Sequence, residues 1–501
     1  MFKNNICSRL GCIFFSLSML FTGTTSYAAD LIEERLEYQR AMTIESNETK
    51  NWPMGPVVSS ESAILIDADT GTILYSKNIH EQEYPASTTK ILTSLIVAEQ
   101  CYLDEIVTFS NSAVFDTPRN SSHIAIDVGE ELTIEQALNG ILIASANEVS
   151  FAVAEHISGT WQDFSNLMNE RAKELGCLNS NFVNPNGLPD ENHYTTAYDL
   201  SMIARAFFAN ELLCKISSSP VLQIPSSEKQ PDDIIEYSKN QLLPGKKYAY
   251  PYLVGSKTGY TDTARQSLVS CAEKDGMKLI CVVMKDESPL QFEDTVALFD
   301  YGFSNFEKIN VSQTETKYNI DNAGFFYSEN NIFGNSNPIL SVNKNDCIIL
   351  PKTADFEDTD STISYETQND NQVAVVSYTY NGVPIGTASI DFATTEQGTY
   401  TFDTQLQVGE NTEPEEEEAP NFIFINVIKV FLWVLGIGVV IAIAILSFSI
   451  FRNYQFASKH PNRRNWQRER RRSLSRLRKS NNKTQKPKKG KRPNRFRDYD
   501  F

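Results

Sequence analysis

The chain has eight cysteines but no C-x-x-C pair. That removes the usual thiolate framework of a structural zinc site, and no metal or cofactor is expected. It has no G-x-S-x-G run, so the sharp strand-to-helix turn that carries many hydrolase serines is missing. Histidine is scarce, at five in 501 residues. His80, His123, His156 and His193 are scattered and His460 lies in a basic tail, so a Ser-His-Asp arrangement is not expected. The first 29 residues hold no acid, and Val430 to Phe451 hold no charge of either sign.

These gaps divide the chain. Lys3 and Arg9 precede an apolar run from Cys12 to Phe21, and Ser26-Tyr27-Ala28 is a small-x-small cleavage pattern. Residues 1–29 therefore read as a secretory signal. The uncharged run at 430–451 is 22 residues long. At ~1.5 Å per residue it matches a bilayer core of ~30 Å. Glu413 and Glu415 to Glu418 lie before it, and from Arg452 onward there are 19 basic residues against 3 acids. Positive residues stay on the cytoplasmic side, which predicts one span with the bulk outside and the tail inside. The overall charge of −18 hides this: residues 30–429 hold 24 basic against 60 acidic residues, a net of −36. The tail, with Arg470-Arg471-Arg472 and Lys488-Lys489, suits anionic lipid head groups or simple topogenic duty. Nucleic acid is not an expected partner.

Signal removal leaves Cys101, Cys177, Cys214, Cys271, Cys281 and Cys347. Cys271 and Cys281 sit in strand-like runs joined by Lys274-Asp275-Gly276. They are read as buried thiols, although a hairpin would allow them to face each other.

Residues 30–56 show no clear pattern and are read as a leader. Ala63 to Asp67 and Thr72 to Tyr75 flank Asp69-Thr70-Gly71 as strand, turn, strand. Helices are predicted from Ser87, over Thr133 to Ser145, over Phe164 to Leu175 with Gly176 as its stop, and over Thr196 to Phe208 with Thr195-Thr196 as cap candidates. Leu268 to Ser270 and Leu279 to Val283 read as strands again. Strands at both ends of a helical middle fit a sheet whose ends pair around a mainly helical insert. From about Phe306 short β runs follow. Val373 to Tyr380 meets Asn381-Gly382, a hairpin signal, and Pro384 points to an edge strand. The predicted divisions are a signal at 1–29, a leader at 30–56, a main domain at 57–305, a small all-β domain at 306–408, an acidic linker at 409–421, a transmembrane segment at 422–451 and a basic tail at 452–501.

Three islands carry chemistry. Ser87-Thr88-Thr89-Lys90 places a serine and a lysine on one side of a helix start. A serine hydroxyl needs a base, and lysine serves only when neutral. Burial and a nearby positive charge lower a lysine pKa, and Lys257 is the candidate for that charge. Ser145-Ala146-Asn147 follows a helical run and brings a hydroxyl and an amide to the same cleft. Lys257-Thr258-Gly259 reads as an edge strand. Lys257 and Thr258 suit an anionic group, and Gly259 lets a ligand backbone lie close. The backbone N–H groups of Ser87 and Tyr260 are the candidate oxyanion hole.

S-x-x-K, S-x-N and K-T-G in this order resemble the serine-type D-alanyl-D-alanine carboxypeptidases, the low-molecular-weight penicillin-binding proteins. The resemblance covers roughly 57–408. Phe164-x-x-x-Met168-Asn169-x-x-Ala172-x-x-Leu175-Gly176, Phe182-x-Asn184-Pro185-x-Gly187-Leu188, Thr196-Ala197-x-Asp199-Leu200, Lys239-Asn240-x-Leu242-Leu243 and Gly259-Tyr260-Thr261-Asp262 are similar to family signatures. The resemblance implies an α+β penicillin-recognising serine acyl-transferase fold: an antiparallel sheet with helices on both faces and a mainly helical insert. The small all-β domain and the one transmembrane helix read from the residues themselves would follow; many relatives have an amphipathic anchor at the C-terminus instead of a full span and a long basic tail.

The resemblance also implies roles. Ser87 is the acylated nucleophile, Lys90 its base and Ser145 a proton relay. Asn147 binds the substrate amide, and Lys257 and Thr258 hold the carboxylate end. The substrate is a peptidoglycan stem peptide ending in D-Ala-D-Ala, and β-lactam antibiotics inhibit. The implied address is the bacterial cell membrane, single-pass, with the catalytic domain extracytoplasmic and the tail cytoplasmic. Asn186 stands where the family usually has histidine, and Glu148 where it often has aspartate. The same islands admit two other readings, a class A β-lactamase and a catalytically inactive wall-binding protein.

Overall fold

The computed structural model describes residues 30–318, 340–367 and 372–392. The predicted signal, acidic linker, apolar run, basic tail and last part of the all-β segment lie outside the described residues. Among the described residues no helix is long and apolar enough to cross a membrane.

The segment read as a patternless leader begins with helix α1 over 30–40. Its apolar periodicity is weak because one of its buried contacts is polar. Gln39 is fully buried and donates to the Lys285 carbonyl at 3.1 Å. Further along, the Trp52 indole N–H donates to the Leu74 carbonyl at 2.9 Å.

The chain then lays down β1 (Ser62–Asp67) and β2 (Ile73–Lys77), turned at Asp67-Ala68-Asp69-Thr70-Gly71. Next come α2 (Lys90–Gln100), β3 (Ile106–Thr108), α3 (Asn111–Phe115), β4 (Glu131–Thr133) and α4 (Ile134–Asn139). Three longer helices follow: α5 (Asn147–Ser158), α6 (Trp161–Glu174) and α7 (Ala197–Phe208). Short α8 (Glu211–Ser217) leads to the hairpin of β5 (Val221–Ile224) and β6 (Ile234–Tyr237). The insert closes with β7 (Leu253–Thr261), β8 (Arg265–Lys274), β9 (Met277–Asp286) and α9 (Leu290–Asn305).

Local signals set several boundaries. Thr133 caps α4 in a reciprocal capping box with Gln136. Thr196 caps α7 by accepting from the Asp199 N–H at 3.0 Å. The turn after α6 ends at Gly176, whose φ of +89° suits glycine.

The five strands of the main sheet are antiparallel in the order β2-β1-β9-β8-β7. β1 pairs with β9, so the two ends of the segment meet as the pattern predicts. All of β1 is buried because both faces are covered. Ile64 and Ile66 join one core with residues of α2, α5 and α7. Ala63 and Leu65 join another with Leu298 and Phe299 of α9.

Cys271 lies opposite Ile280 and Cys281 opposite Ser270, one position out of register. Their side chains therefore point to opposite faces. Each is a free, buried thiol in a different core.

A second sheet follows α9. Its strands are β10 (Phe306–Asn310), β11 (Leu340–Val342), β12 (Cys347–Pro351), β13 (Asp360–Ser364), β14 (Gln372–Tyr380) and β15 (Val383–Phe392), with one-turn α10 (Val311–Thr314) after β10. The order is β10-β12-β15-β14-β13, with β11 also on β15. The Asn381-Gly382 hairpin forms, with φ of +49° and +83°. Pro384 does not mark an edge, since β15 is interior. It sits at the strand's start beside a register irregularity at Tyr378/Thr379, before β12 joins at Gly386. No ladder N–H is needed there. Trp52 packs on Phe306 at 5.1 Å and Tyr380 at 6.4 Å, so the leader segment fills the seam between the sheets.

Candidate active site

Ser87 lies in a 3₁₀ turn, Ala86–Thr89, that runs into α2. The residue before it, Ala86, is held at φ +49°, which alanine seldom adopts. Two glycines make room for this turn. A Cβ on Gly187 would lie 1.8 Å from the Ala86 carbonyl oxygen, and one on Gly259 would lie 2.8 Å from that of Pro85 and 3.2 Å from the Ser87 nitrogen. Gly259 was read as room for a ligand backbone. The backbone that approaches it here is the protein's own.

Lys90 is wholly buried. Its Nζ lies 3.0 Å from Ser87 Oγ, 2.7 Å from Asn147 Oδ1 and 2.6 Å from the Asn186 carbonyl oxygen. Carbonyl oxygens only accept. A neutral amine therefore gives its two N–H groups to Asn147 and Asn186 and turns its lone pair to the Ser87 hydroxyl. Burial, then the nearby Lys257, hold the Lys90 pKa well below the usual lysine range, while Glu148 opposes them. Both causes expected from the sequence, burial and the Lys257 charge, are present, with burial the larger.

Ser145 is the whole change of direction between two helices. A wide turn, Gly140–Ala144, ends on Ser145 at φ +62°, ψ +32°, and Asn147 already opens α5. The left-handed residue aims the hydroxyl at β7, where Lys257 Nζ donates to Ser145 Oγ at 3.0 Å. Lys257 also donates to the Thr258 carbonyl at 2.9 Å. Its pKa is drawn down to about 7, first by burial and then by Lys239.

The cleft in front of these groups has a volume of about 560 Å³. Ser87, Ser145, Thr258, Gly259 and Tyr260 line it, with Ser122, Lys239 and Gln266. Tyr248 and Phe292 stack at one end, with ring centroids 5.9 Å apart. Lys90, Asn147 and Lys257 are buried behind this wall. Tyr260 is half-exposed and donates its hydroxyl to Asp262 at 2.9 Å.

The structure adds three participants to the islands, of which Asn186 and Glu148 stand out in the sequence only as departures from the family pattern. Asn186 acts through its backbone carbonyl, which no side-chain motif reports. Ser122 reaches the cleft because its carbonyl accepts from the Asn147 N–H at 2.9 Å. Buried Glu148 fixes the same loop by accepting from the Ile124 N–H at 2.6 Å, and burial raises its pKa. The Asn-Glu pair that follows Ala146 was the available signal.

His193 is a core histidine. Its Nδ1 accepts from the Val183 N–H at 3.1 Å, which leaves Nε2–H to donate to Thr89 Oγ1 at 2.9 Å. Burial lowers its pKa to about 4, so it stays neutral.

Known proteins share this arrangement's scaffold. A family model described as D-alanyl-D-alanine carboxypeptidase, of the S11 peptidases, matches residues 48–288. The D-alanyl-D-alanine carboxypeptidase DacF of Bacillus subtilis is 36% identical over 257 residues, half of this chain and 63% of that relative. DacB2 of Mycobacterium tuberculosis is 30% identical over 259 residues, 50% of this chain and 84% of that one. The chain thus spans less than two thirds of the first relative's length. The crystal structures of penicillin binding protein 5 from Haemophilus influenzae align at a TM-score of 0.54 with 25% identity, over 68% of this chain and 98% of that one. The islands, the fold that holds them and these relatives agree: the chain belongs to the D-alanyl-D-alanine carboxypeptidase family of serine peptidases.

Proposed function

We propose that this protein removes the terminal D-alanine from peptidoglycan stem pentapeptides through an acyl-enzyme on Ser87. The observation that carries the reading is the Lys90 amine, buried among two carbonyl acceptors and the Ser87 hydroxyl.

In the forward step Ser87 Oγ attacks the carbonyl carbon of the penultimate D-alanine while its proton passes to Lys90. The developing oxyanion takes hydrogen bonds from the Ser87 and Tyr260 N–H groups, each worth ~10²–10³ in rate. The proton then reaches the departing amine through Ser145, which lines the cleft with Ser87 and accepts from Lys257. The C–N bond breaks, D-alanine leaves, and water hydrolyses the Ser87 ester. Asn147, with its Oδ1 taken by Lys90, offers its amide N–H₂ to the substrate backbone. Thr258 and the Lys239 cation on the cleft wall meet the terminal carboxylate, and Lys257 adds its charge from behind. A β-lactam acylates the same oxygen and leaves slowly, which makes it an inhibitor.

The reading extends to location. Residues 1–29 direct export, 430–451 span the membrane, and the basic tail remains in the cytoplasm. The cleft then faces the cell wall.

Mass spectrometry of the full chain in detergent after penicillin treatment tests the chemistry. A single adduct on Ser87, with D-alanine released from a pentapeptide, supports the proposal. Rapid turnover of penicillin without peptide cleavage would indicate a β-lactamase. Unchanged peptide trimming by Ser87→Ala would remove Ser87 from the mechanism.

A further inference from the structure

Helices α2 and α5 lie side by side and point the same way. Their starts meet where Lys90 Nζ donates to Asn147 Oδ1 at 2.7 Å. Their far ends hold a second polar cluster. Cys101 is the C-terminal cap of α2, His156 lies in the last turn of α5, and Glu105 stands just before β3. One donor atom from each of the three lies within 4.8 Å of the other two. Glu105 Oε2 is 3.1 Å from His156 Nε2. Its Oε1 accepts from the Tyr102 N–H at 2.5 Å, and its own carbonyl accepts from the Ile134 N–H at 2.9 Å. The carboxylate is therefore oriented by backbone, on a turn anchored to the start of α4.

We propose that Cys101, Glu105 and His156 form a binding site for one thiophilic divalent cation, zinc by its donor set, which ties the far ends of the two helices that carry Lys90 and Asn147.

Thiolate, imidazole and carboxylate are the ligands zinc takes, whereas calcium and magnesium require oxygen. Bonds of ~2.0–2.3 Å at tetrahedral angles put ligand atoms roughly 3.3–3.8 Å apart. Glu105 and His156, at 3.1 Å, open by a few tenths of an ångström, and the Cys101 sulfur closes on them by up to about 1.5 Å. His156 faces solvent, so water completes the fourth position. Binding forms one Zn–S, one Zn–N and one Zn–O bond; the Cys101 thiol proton passes to water and no electron moves.

No short motif announces the site, because Glu105 and His156 are 51 positions apart and meet only through the packing of α5 on β3. None of the three residues touches the cleft, so the cation has a structural duty: it fixes the relative register of α2 and α5, on which the Lys90–Asn147 contact depends.

The test is cobalt titration of the full chain in detergent after treatment with a chelator. The expected result is one equivalent bound, with a sulfur-to-cobalt charge-transfer band and the visible bands of four-coordinate cobalt, both erased by zinc. Cys101→Ser removes the charge-transfer band. His156→Ala weakens binding by about tenfold or more. Zinc raises the melting temperature of the wild type and not that of Glu105→Gln/His156→Ala, whose side chains are partly exposed and whose metal-free melting stays cooperative. The absence of a band at one equivalent overturns the proposal, as does a band that survives Cys101→Ser and so belongs to another cysteine. If Cys101→Ser does not fold, the Glu105 and His156 variants decide alone: unchanged cobalt affinity in them overturns the site.

Discussion

Two buried lysine centres lie on opposite faces of the main sheet, and they have opposite uses. Lys257 pairs in register with Val269 and points into the core shared with α2, beside Lys90. Lys77 pairs with Ala63 and points to the α9 face. Lys77 is also closed off from solvent, though set less deep than Lys90, and donates to the Val58 and Ser60 carbonyls at 3.0 and 2.6 Å. Burial lowers its pKa to about 8, but its charged neighbours are acids, with Asp294 and Asp286 foremost. Around Lys90 the second influence is another lysine. Depth alone does not make a base. Burial comes first at both lysines; the surrounding charge then opposes it at Lys77, and at Lys90 the neighbouring lysine adds to it.

The largest expected effect separates the two centres directly. Lys90→Met should lower the rate of acylation by labelled penicillin by ~10²–10⁴, the usual contribution of a general base. Its stability to urea should fall by only about 1–3 kcal/mol, for the Asn147 and Asn186 oxygens left without a donor. Lys77→Met should do the reverse. It leaves the Val58 and Ser60 carbonyls without a donor and the Asp286–Asp294 pair without a nearby cation, at a cost of about 3–5 kcal/mol, while folded molecules acylate at the normal rate. If both variants lost rate, or if Lys90→Met lost as much stability as Lys77→Met, the distinction would fail.

The next effect concerns how tightly the nucleophile is seated. Gly187→Ala places a Cβ against the Ala86 carbonyl and requires φ of +80°. Displacing Ser87 by about 1 Å should cost ~10² in acylation rate. Gly276→Ala, in the turn between β8 and β9, is the control. Its φ is +79° but its surroundings are open. It should cost about 1 kcal/mol of stability and no rate.

A smaller effect tests the charge coupling. Lys257 lowers the Lys90 pKa, and Lys90 must be neutral to act. The acylation rate therefore falls on the acid side as Lys90 gains its proton. Lys257→Met removes the repulsion, raises the Lys90 pKa and should move that acid limb to higher pH. A limb that stays in place would leave burial as the whole cause.

What the sequence disclosed about these centres follows from where their information is stored. Ser87, Lys90, Ser145 and Lys257 stand in short islands, so side-chain type and spacing revealed them. The β1–β2 turn, the Thr196 cap and the Asn381-Gly382 hairpin were legible for the same reason: each is decided by a few adjacent residues. Helix α1 was not, because its buried Gln39 breaks an apolar stripe and pays off only against Lys285. Asn186 was seen as a turn, yet its carbonyl is the third neighbour of Lys90. The Lys77 centre was invisible, since Asp294 lies on another element and accepts from the Ser59 and Ser60 N–H groups at 2.7 and 2.8 Å. Pro384 misled because proline marks an edge only where its strand needs the missing N–H.

The smallest effect is a pH dependence that belongs to the structural centre alone. Asp286 is fully buried, and burial, then the neighbouring Asp294, raise its pKa. The folded protein therefore keeps a proton that the unfolded chain releases above the ordinary carboxylate range. Stability from this group is complete below that range and is lost as pH rises toward the raised value. Asp286→Asn substitutes an amide that holds its hydrogens at every pH. The wild type should accordingly lose stability relative to the variant as pH climbs from the carboxylate range toward neutrality. Above about 8 Lys77 acts with the opposite sign, because the unfolded chain then binds the extra proton, but it does so in both proteins. Urea unfolding of the pair across this range measures the difference. A flat difference would mean that Asp286 is ionised beside Lys77, and the two lysine centres would then differ by a full charge more than the geometry indicates.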